Sequence, residues 1–257
     1  MITRYRVSLD GVQMDSLDNN IYILDVQYSP ITRRDTTHEV ANLDGYDLEN
    51  SKYVGQTVTV TFELHIYDTK KRNAACQKIN QWAGVRGALT VNDREGQYLR
   101  TVKCDQYAAI NSVRNWTDPL TLVFSTERTP FWLSNTEKAL TISGKNVNGT
   151  LKLDGNISYS LVTAEITANE KVTSLQITVG STKLNLKGLN VATNKKVVID
   201  YVNQRYLRIR ADGASVMSKL QPESTDNLQA PCGANTKINL VSDGKVTAVF
   251  KGRGCWI

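Results

Sequence analysis

The sequence predicts a mainly β protein with one α-helix and two domains. Apolar and polar residues alternate from Thr57 to Tyr67, the pattern of a strand with one buried face. The period then changes to that of a helix, which we place at about residues 68–84. Beyond Pro130 there is no helical stretch, and seven or more short alternating segments are separated by turns, which is typical of an antiparallel β-sandwich.

Two further strands are predicted before this strand–helix pair, at Tyr5–Leu9 and Ile21–Tyr28. They are followed by a long polar segment, Ser29–Asn50, which contains the turn signal Asp44-Gly45 and which we predict to be a loop. Loops of this length in compact domains are commonly functional or ordered by a partner. This segment is therefore the first candidate for an interaction site.

The predicted helix has signals at both ends. Asp68 is a good N-cap, because its carboxylate can accept a hydrogen bond from a free N–H of the first turn. Ile79 and Trp82 recur at helical spacing, and Gly84 follows as a C-cap. The helix is thus expected to bury one apolar face against the sheet.

After the helix, strands are predicted from Gly87 and over Tyr98–Tyr107. The last strand of this half alternates through Phe124 and ends near Pro130, where the composition changes to one rich in Thr, Asn, Lys and Gly. We therefore predict two domains, residues 1–130 and residues 131–257.

The second domain is predicted from alternating apolar faces and strong turn signals. The turns are Gly180-Ser181, Asp212-Gly213 and Asp243-Gly244. Around them lie short strands marked by Ile166, Ile177, Leu186, Ile199, Ile209, Leu240 and Ala248. Two of these strands, at Leu240 and Ala248, are expected to be separated by the Asp243-Gly244 turn.

Composition and charge exclude several classes of protein. The chain has 257 residues, is 40% hydrophobic and 22% charged, and has no apolar run long enough to span a membrane. It lacks an N-terminal signal segment, so we expect synthesis in the cytoplasm. Residues 1–130 carry 15 Lys/Arg and 16 Asp/Glu, a net charge of −1, and residues 131–257 carry 16 and 9, a net of +7. The basic residues are not clustered with stacking aromatics, so a nucleic-acid site is not predicted.

Neither a metal nor another cofactor is predicted. The four cysteines show no CxxC spacing, and the chain has only two histidines, His38 and His65. In a reducing cytosol we expect these thiols to be small buried side chains rather than a disulfide framework.

No catalytic motif is present, and we expect the protein not to be an enzyme. The sequence contains no GxSxG, HExxH, P-loop or GxGxxG motif. A carboxylate pair for glycoside hydrolysis could be assembled from acidic residues across a sandwich face, which leaves a cell-wall hydrolase as one alternative. A second alternative is a carbohydrate-binding protein. Its candidate stacking residues are Trp132, Tyr201 and Tyr206.

The order of several short motifs resembles the distal tail proteins of siphophages and related prophages. In the first half they are the arginine-containing polar loop, the strand Thr57–Leu64, the helix end Ile79–Trp82, the Gly87–Leu89 strand start and the closing Thr129-Pro130 step. In the second half they are Leu184–Leu189, Val197–Tyr201, Pro231–Ile238 and Lys251–Trp256. The resemblance covers essentially the whole chain.

The resemblance implies a structural role and a galectin-like fold for the second domain. Such proteins form a hexameric ring at the distal end of the tail, made and assembled in the bacterial cytoplasm. The ring joins the tail-tube protein to the tail-associated tip or baseplate protein and lets DNA pass. A receptor-binding protein or host wall glycans are further implied partners. Candidate ring-interface residues are Arg33, Arg34, Asp35, His38 and Tyr46.

Overall fold

A computed structural model describes residues 5–39, 46–109, 118–127, 129–203 and 205–257. The chain divides into two compact units, Met1–Leu133 together with Ile257, and Ser134–Trp256. The predicted mainly β class is confirmed. Within the described residues the strands are accompanied by one α-helix and two short 3-10 helices.

The first unit contains nine strands and the helix α1. In chain order they are β1 (Val7–Leu9), β2 (Val12–Gln13), β3 (Ile21–Tyr28), β4 (Arg33–Glu39), β5 (Tyr46–Tyr53), β6 (Thr57–Leu64), α1 (Thr69–Ala83), β7 (Gly87–Val91), β8 (Gln97–Gln106) and β9 (Leu120–Thr126). Seven strands form one antiparallel sheet in the order β3-β6-β9-β8-β7-β1-β2. Strands β4 and β5 pair with each other in a separate two-stranded sheet.

The strand–helix pair follows the sequence prediction closely. Buried and half-buried residues alternate along β6, with Phe62 fully buried, although the strand ends at Leu64 and not at Tyr67. The carboxylate of Asp68 accepts a hydrogen bond of 2.9 Å from the N–H of Lys71 and so caps α1. The buried face of the helix includes Trp82. In each element, the spacing of the apolar residues therefore determines which face packs against the core.

The predicted loop at Ser29–Asn50 is wrong for the described part of this segment. Residues 33–39 and 46–53 are the strands β4 and β5. The prediction failed because both strands are polar on both faces, so no period-two pattern marks them. The predicted turn at Asp44-Gly45 lies outside the described residues.

The second unit is built from antiparallel strands. In chain order they are β10 (Trp132–Lys152), which begins two residues before the unit, β11 (Ser160–Ala168), β12 (Val172–Val179), β13 (Thr182–Val191), β14 (Lys196–Val202), β15 (Tyr206–Ala211), β16 (Ala214–Ser215), β17 (Gln229–Ala230) and β18 (Asn235–Trp256). One series of neighbours runs β16-β15-β14-β11-β18. Another runs β13-β12-β18.

The long strand β18 takes part in both series. Its residues Ile238–Ser242 pair with β12, and its residues Val246–Gly252 pair with β11. The sequence prediction of two strands separated by a turn is therefore wrong, since Asp243-Gly244 forms a corner inside one continuous strand. A Cβ at Gly244 would lie 2.3 Å from the carbonyl oxygen of Lys171, so only glycine permits this close approach. A strand that changes partners at a corner is a feature of packed β-sheets.

Candidate functional site

The strands β4 and β5 form a ribbon, here called the β4–β5 ribbon, whose base is fixed to the first sheet. The N–H of Ser29 donates to the carbonyl of Thr57 at 2.9 Å, and the N–H of Thr57 donates to the Ser29 hydroxyl at 2.8 Å. Between them Gln56, only 3% exposed, donates from its side chain to the Ser29 carbonyl at 3.1 Å. The N–H of Thr126 in β9 donates to the carbonyl of Gln56 at 2.9 Å, and the N–H of Gln56 donates to the Thr126 hydroxyl at 2.9 Å. The ribbon therefore starts from an ordered part of the sheet.

The ribbon itself is long and has no other strand beside it within the described part of the chain. Its register runs from Arg33 opposite Tyr53 to Glu39 opposite Tyr46, with a bulge after Thr36. Strands of seven and eight residues are about 25 Å long. An isolated two-stranded ribbon is marginally stable in water, and its edges can pair with another strand. Its geometry is thus suited to an interface.

All five residues predicted for a ring interface belong to this ribbon. Arg33, Arg34, Asp35 and His38 lie in β4, and Tyr46 is the first residue of β5. The side chain of Arg34 is exposed. The structure thus brings these residues together, and what they contact in an assembly stays a prediction.

Trp132, predicted as a sugar-stacking residue, has no ring face open to solvent. Its side chain is fully buried in the first unit. The guanidinium carbon of Arg94 lies 5.0 Å from the ring centroid of Trp132 and 5.0 Å from that of Tyr28. The Tyr28 ring meets Trp132 edge-on at 5.4 Å. These contacts make Trp132 a core residue held by aromatic and cation–π interactions.

The two predicted tyrosines of the second unit differ from each other. The hydroxyl of Tyr201 accepts a hydrogen bond of 2.7 Å from the N–H of Leu228. Burial raises the pKa of Tyr201 to about 12. Tyr206 is 65% exposed and begins the neighbouring strand β15. Of the three predicted stacking residues, only Tyr206 presents a largely exposed ring.

Two carboxylates of the second unit, Glu165 and Asp200, are paired in a way that opposes acid catalysis. Glu165 and Lys196 are 2.5 Å apart, and this hydrogen bond lowers the pKa of Glu165. Asp200 accepts two hydrogen bonds from Arg208, at 2.7 and 2.8 Å, which lower its pKa as well. A general acid for glycoside hydrolysis needs a raised pKa. These carboxylates are therefore ionised at neutral pH and are poor proton donors.

The described residues contain no cluster of three or more His, Cys, Asp or Glu side chains that could hold a metal ion. Within the same residues, no helix has the length and apolar character needed to cross a membrane. The polar β4–β5 ribbon, which has no further strand partner among the described residues, is the most distinctive feature of the first unit.

Comparison with solved structures finds similar folds among phage proteins. The crystal structure of phage SPP1 Dit (gp 19.1), described as a paradigm of the hub adsorption apparatus in phages that infect Gram-positive bacteria, has a TM-score of 0.69, with 14% identity over 98% of this chain and 99% of that one. A chain of the phage P2 baseplate in its activated conformation with Ca has a TM-score of 0.44, with 9% identity over 99% and 98% of the two chains.

No protein-family model matches the sequence, and no curated protein matches it. The likeness to SPP1 Dit, at 14% identity, therefore shows the fold. At the level of the fold, the resemblance to the distal tail proteins of siphophages is confirmed.

Proposed function

We propose that the protein is a structural hub protein at the distal end of a phage tail, with no enzymatic activity. The carrying observation is the β4–β5 ribbon, a polar strand pair that has no further strand partner among the described residues. The fold likeness to SPP1 Dit over 98% of the chain supports the same role.

In this proposal six copies form a ring through the ribbon. A ring needs a heterologous interface, in which one surface of a subunit contacts a different surface of the next. A ribbon of about 25 Å whose edges pair with no other strand among the described residues can reach a neighbour and add to its sheet. The interface residues would include Arg33, Arg34, Asp35, His38 and Tyr46.

The ring would join the tail-tube protein on one side to the tail-tip or baseplate protein on the other. Residues 1–130 would form the ring and its channel, and residues 131–257 would be the outer, galectin-like domain. The first half has a net charge of −1, from 15 Lys/Arg and 16 Asp/Glu. This net charge is compatible with a channel that lets DNA pass, because tight binding to DNA requires many Lys/Arg–phosphate contacts. The protein would be assembled in the host cytoplasm and released in the virion.

The test removes the ribbon and leaves its base. The N–H of Val54 donates to the carbonyl of Thr32 at 2.7 Å, so the two ends of the ribbon are adjacent. A short glycine linker can therefore replace Arg33–Tyr53 without moving Ser29 or Gln56. Light scattering after gel filtration and negative-stain images are expected to show six-membered rings for the wild type and monomers for this variant.

The control is Tyr67→Ser, since Tyr67 is 80% exposed and lies outside the ribbon. We expect this variant to form rings as the wild type does, and all three proteins to show the same thermal transition of the main sheets by circular dichroism. A wild type that stays monomeric at every concentration, with or without its tail-tube protein, contradicts the proposal. Rings formed by the ribbon-less variant contradict the role of the ribbon.

A second candidate function is carbohydrate binding by the second unit, supported by the 65% exposure of Tyr206. Sugar rings stack on exposed aromatic faces, and Tyr206 offers one. In this case a glycan array would show binding that Tyr206→Ala removes and that Tyr201→Phe retains. Absence of binding by the wild type to wall glycans would exclude this candidate.

A further inference from the structure

Two cysteines that lie far apart in the sequence meet near the end of the second unit. Cys232 is in the turn between β17 and β18, and Cys255 is the penultimate residue of β18. They are 9% and 4% exposed, and both pair with one short segment through isolated β-bridges, Cys232 with Leu153 and Cys255 with Gly155. Neither the spacing of the cysteines nor any motif indicates this contact.

Main-chain hydrogen bonds to one short segment hold both cysteines in place. The N–H of Cys232 donates to the carbonyl of Ile157 at 3.0 Å, and the N–H of Cys255 donates to the carbonyl of Asp154 at 3.1 Å. The carbonyl of Cys255 in turn accepts from the N–H of Asn156 at 3.0 Å. Because both residues are fixed to the same stretch of chain, their separation does not depend on flexible parts.

A glycine makes this arrangement possible. Gly155 has φ +117°, and a Cβ there would lie 1.9 Å from the carbonyl oxygen of Cys255. A side chain would thus push the end of β18 away from the segment that also carries Cys232. The close approach of the two thiols therefore depends on the backbone as well as on the cysteines.

The two thiols have different chemical roles. The hydrogen bond from Cys255 lowers the pKa of Cys232, because it stabilises the Cys232 thiolate. The same bond, together with burial, raises the pKa of Cys255, whose sulfur also contacts the Ser160 hydroxyl at 3.5 Å. Cys232 is thus the more nucleophilic and the more exposed thiol of the pair.

The other two cysteines lack this arrangement. Cys76 donates to the carbonyl of Ala108 at 3.5 Å, and Cys104 donates to the carbonyl of Gln106 at 3.1 Å. Burial raises the pKa of both thiols. They are therefore matched controls for a reaction that needs a second thiol.

We propose that Cys232 and Cys255 are a reversible dithiol–disulfide pair that fastens the end of β18 to the turn before it. With oxidised glutathione as oxidant, the Cys232 thiolate attacks one sulfur of the glutathione disulfide and releases one glutathione thiolate. Cys255 then loses its proton, attacks the Cys232 sulfur of the mixed disulfide and displaces the second glutathione. Two protein thiols are oxidised to one disulfide, and one glutathione disulfide is reduced to two thiols.

The bond would close a loop of about 24 residues and restrict the unfolded chain. We expect the oxidised protein to melt about 5–10 °C higher than the reduced protein. For a virion protein, which leaves a reducing cytoplasm at lysis, the bond would form after assembly. Only this last statement rests on the proposed function.

The test uses the purified full-length chain, equilibrated over mixtures from fully reduced to fully oxidised glutathione. After an acid quench, thiols are alkylated in denaturant and counted by mass spectrometry. We expect four reactive thiols in the reduced protein, which has four cysteines, and two in the oxidised protein. A non-reducing peptide map should show a peptide that links Cys232 to Cys255.

Variants separate this pair from the other thiols. Cys76→Ser should still lose two thiols on oxidation, whereas Cys232→Ser should lose none to an internal disulfide. The proposal is overturned if the wild type keeps four thiols in fully oxidised glutathione, or if its linked peptides do not join Cys232 and Cys255. A disulfide that forms without raising the melting temperature overturns the fastening role. Even if a serine variant does not fold, the peptide map of the wild type shows whether a disulfide joins Cys232 and Cys255.

Discussion

Replacement of Trp132 tests the assignment of this residue to the core. The sequence placed it among sugar-stacking candidates, but its side chain is 0% exposed and lies against Tyr28 and the guanidinium of Arg94. Its indole nitrogen is buried and has no hydrogen-bond partner among the described residues. Two substitutions, Trp132→Ala and Trp132→Phe, separate the effect of volume from the effect of this polar atom.

The expected losses of stability differ between the two variants. Trp132→Ala leaves a large cavity, which costs about 3–5 kcal/mol, and removes a cation–π contact worth about 1 kcal/mol. Trp132→Phe leaves a smaller cavity, costing about 1–2 kcal/mol. It also removes a buried, unsatisfied N–H group, which stabilises the folded state by about 1–3 kcal/mol. We therefore expect a loss of about 4–6 kcal/mol for alanine and, for phenylalanine, a result between a loss of about 1 kcal/mol and a gain of about 2 kcal/mol.

The assay is urea unfolding followed by far-UV circular dichroism, because the loss of a tryptophan alters the fluorescence signal. The two units can unfold in separate transitions, so the transition that shifts should be assigned with fragment-resolved hydrogen exchange. Tyr206→Ala, at a largely exposed position, is the control and should change stability by less than about 0.5 kcal/mol. A Trp132→Ala variant within about 1 kcal/mol of the wild type would refute the reasoning, as would equal losses for alanine and phenylalanine.

Three other substitutions probe separate features. Gly155→Ala places a Cβ 1.9 Å from the carbonyl oxygen of Cys255 and should cost about 4 kcal/mol or more in urea unfolding. The control Gly213→Ala, also at positive φ but with open space around it, should cost about 1 kcal/mol. Tyr201→Phe leaves the main-chain N–H of Leu228 without its hydrogen-bond acceptor at 2.7 Å and should cost about 1–3 kcal/mol of stability. A variant as stable as the wild type would contradict the importance of that hydrogen bond. The hydrogen bond from the first turn of α1 lowers the pKa of Asp68. The ionised Asp68 carboxylate therefore stabilises the folded state at neutral pH, and this stabilisation is lost as the pH falls below about 4. Asp68→Asn should keep the N-cap hydrogen bond but remove the fall in melting temperature that protonation of Asp68 causes. A variant with the same dependence of melting temperature on pH as the wild type would contradict the capping role of the Asp68 carboxylate.

The parts of the fold that sequence could predict are those in which local pattern and burial agree. The alternation in β6 and the helical period before Gly84 each report a single buried face, so both elements are found within about three residues of their predicted ends. The β4–β5 ribbon carries no such signal, because its sequence is mostly polar and shows no alternation of apolar and polar residues. The residues predicted for an interface nevertheless fall in this ribbon, since an unusually long polar segment is itself a signal, and their role stays a prediction.

Long-range features were beyond the reach of pattern analysis. The Asp243-Gly244 pair has the composition of a hairpin turn, and only the approach of Lys171 shows that the glycine serves a corner in a continuous strand. The meeting of Cys232 and Cys255 likewise depends on how a separate segment of chain binds both residues. Composition gives the properties of each residue, whereas tertiary folding decides which distant residues become neighbours.

The continuity of β18 determines how the second unit can come apart. On one edge the strand pairs with β12 through Ile238–Ser242 and with β11 through Val246–Gly252, and β10 is its neighbour on the other edge. A pull on the chain end acts first on the ladder with β11, because Val246–Gly252 lie nearer that end than Ile238–Ser242. Mechanical rupture should therefore begin at the ladder with β11 and reach the ladder with β12 afterwards.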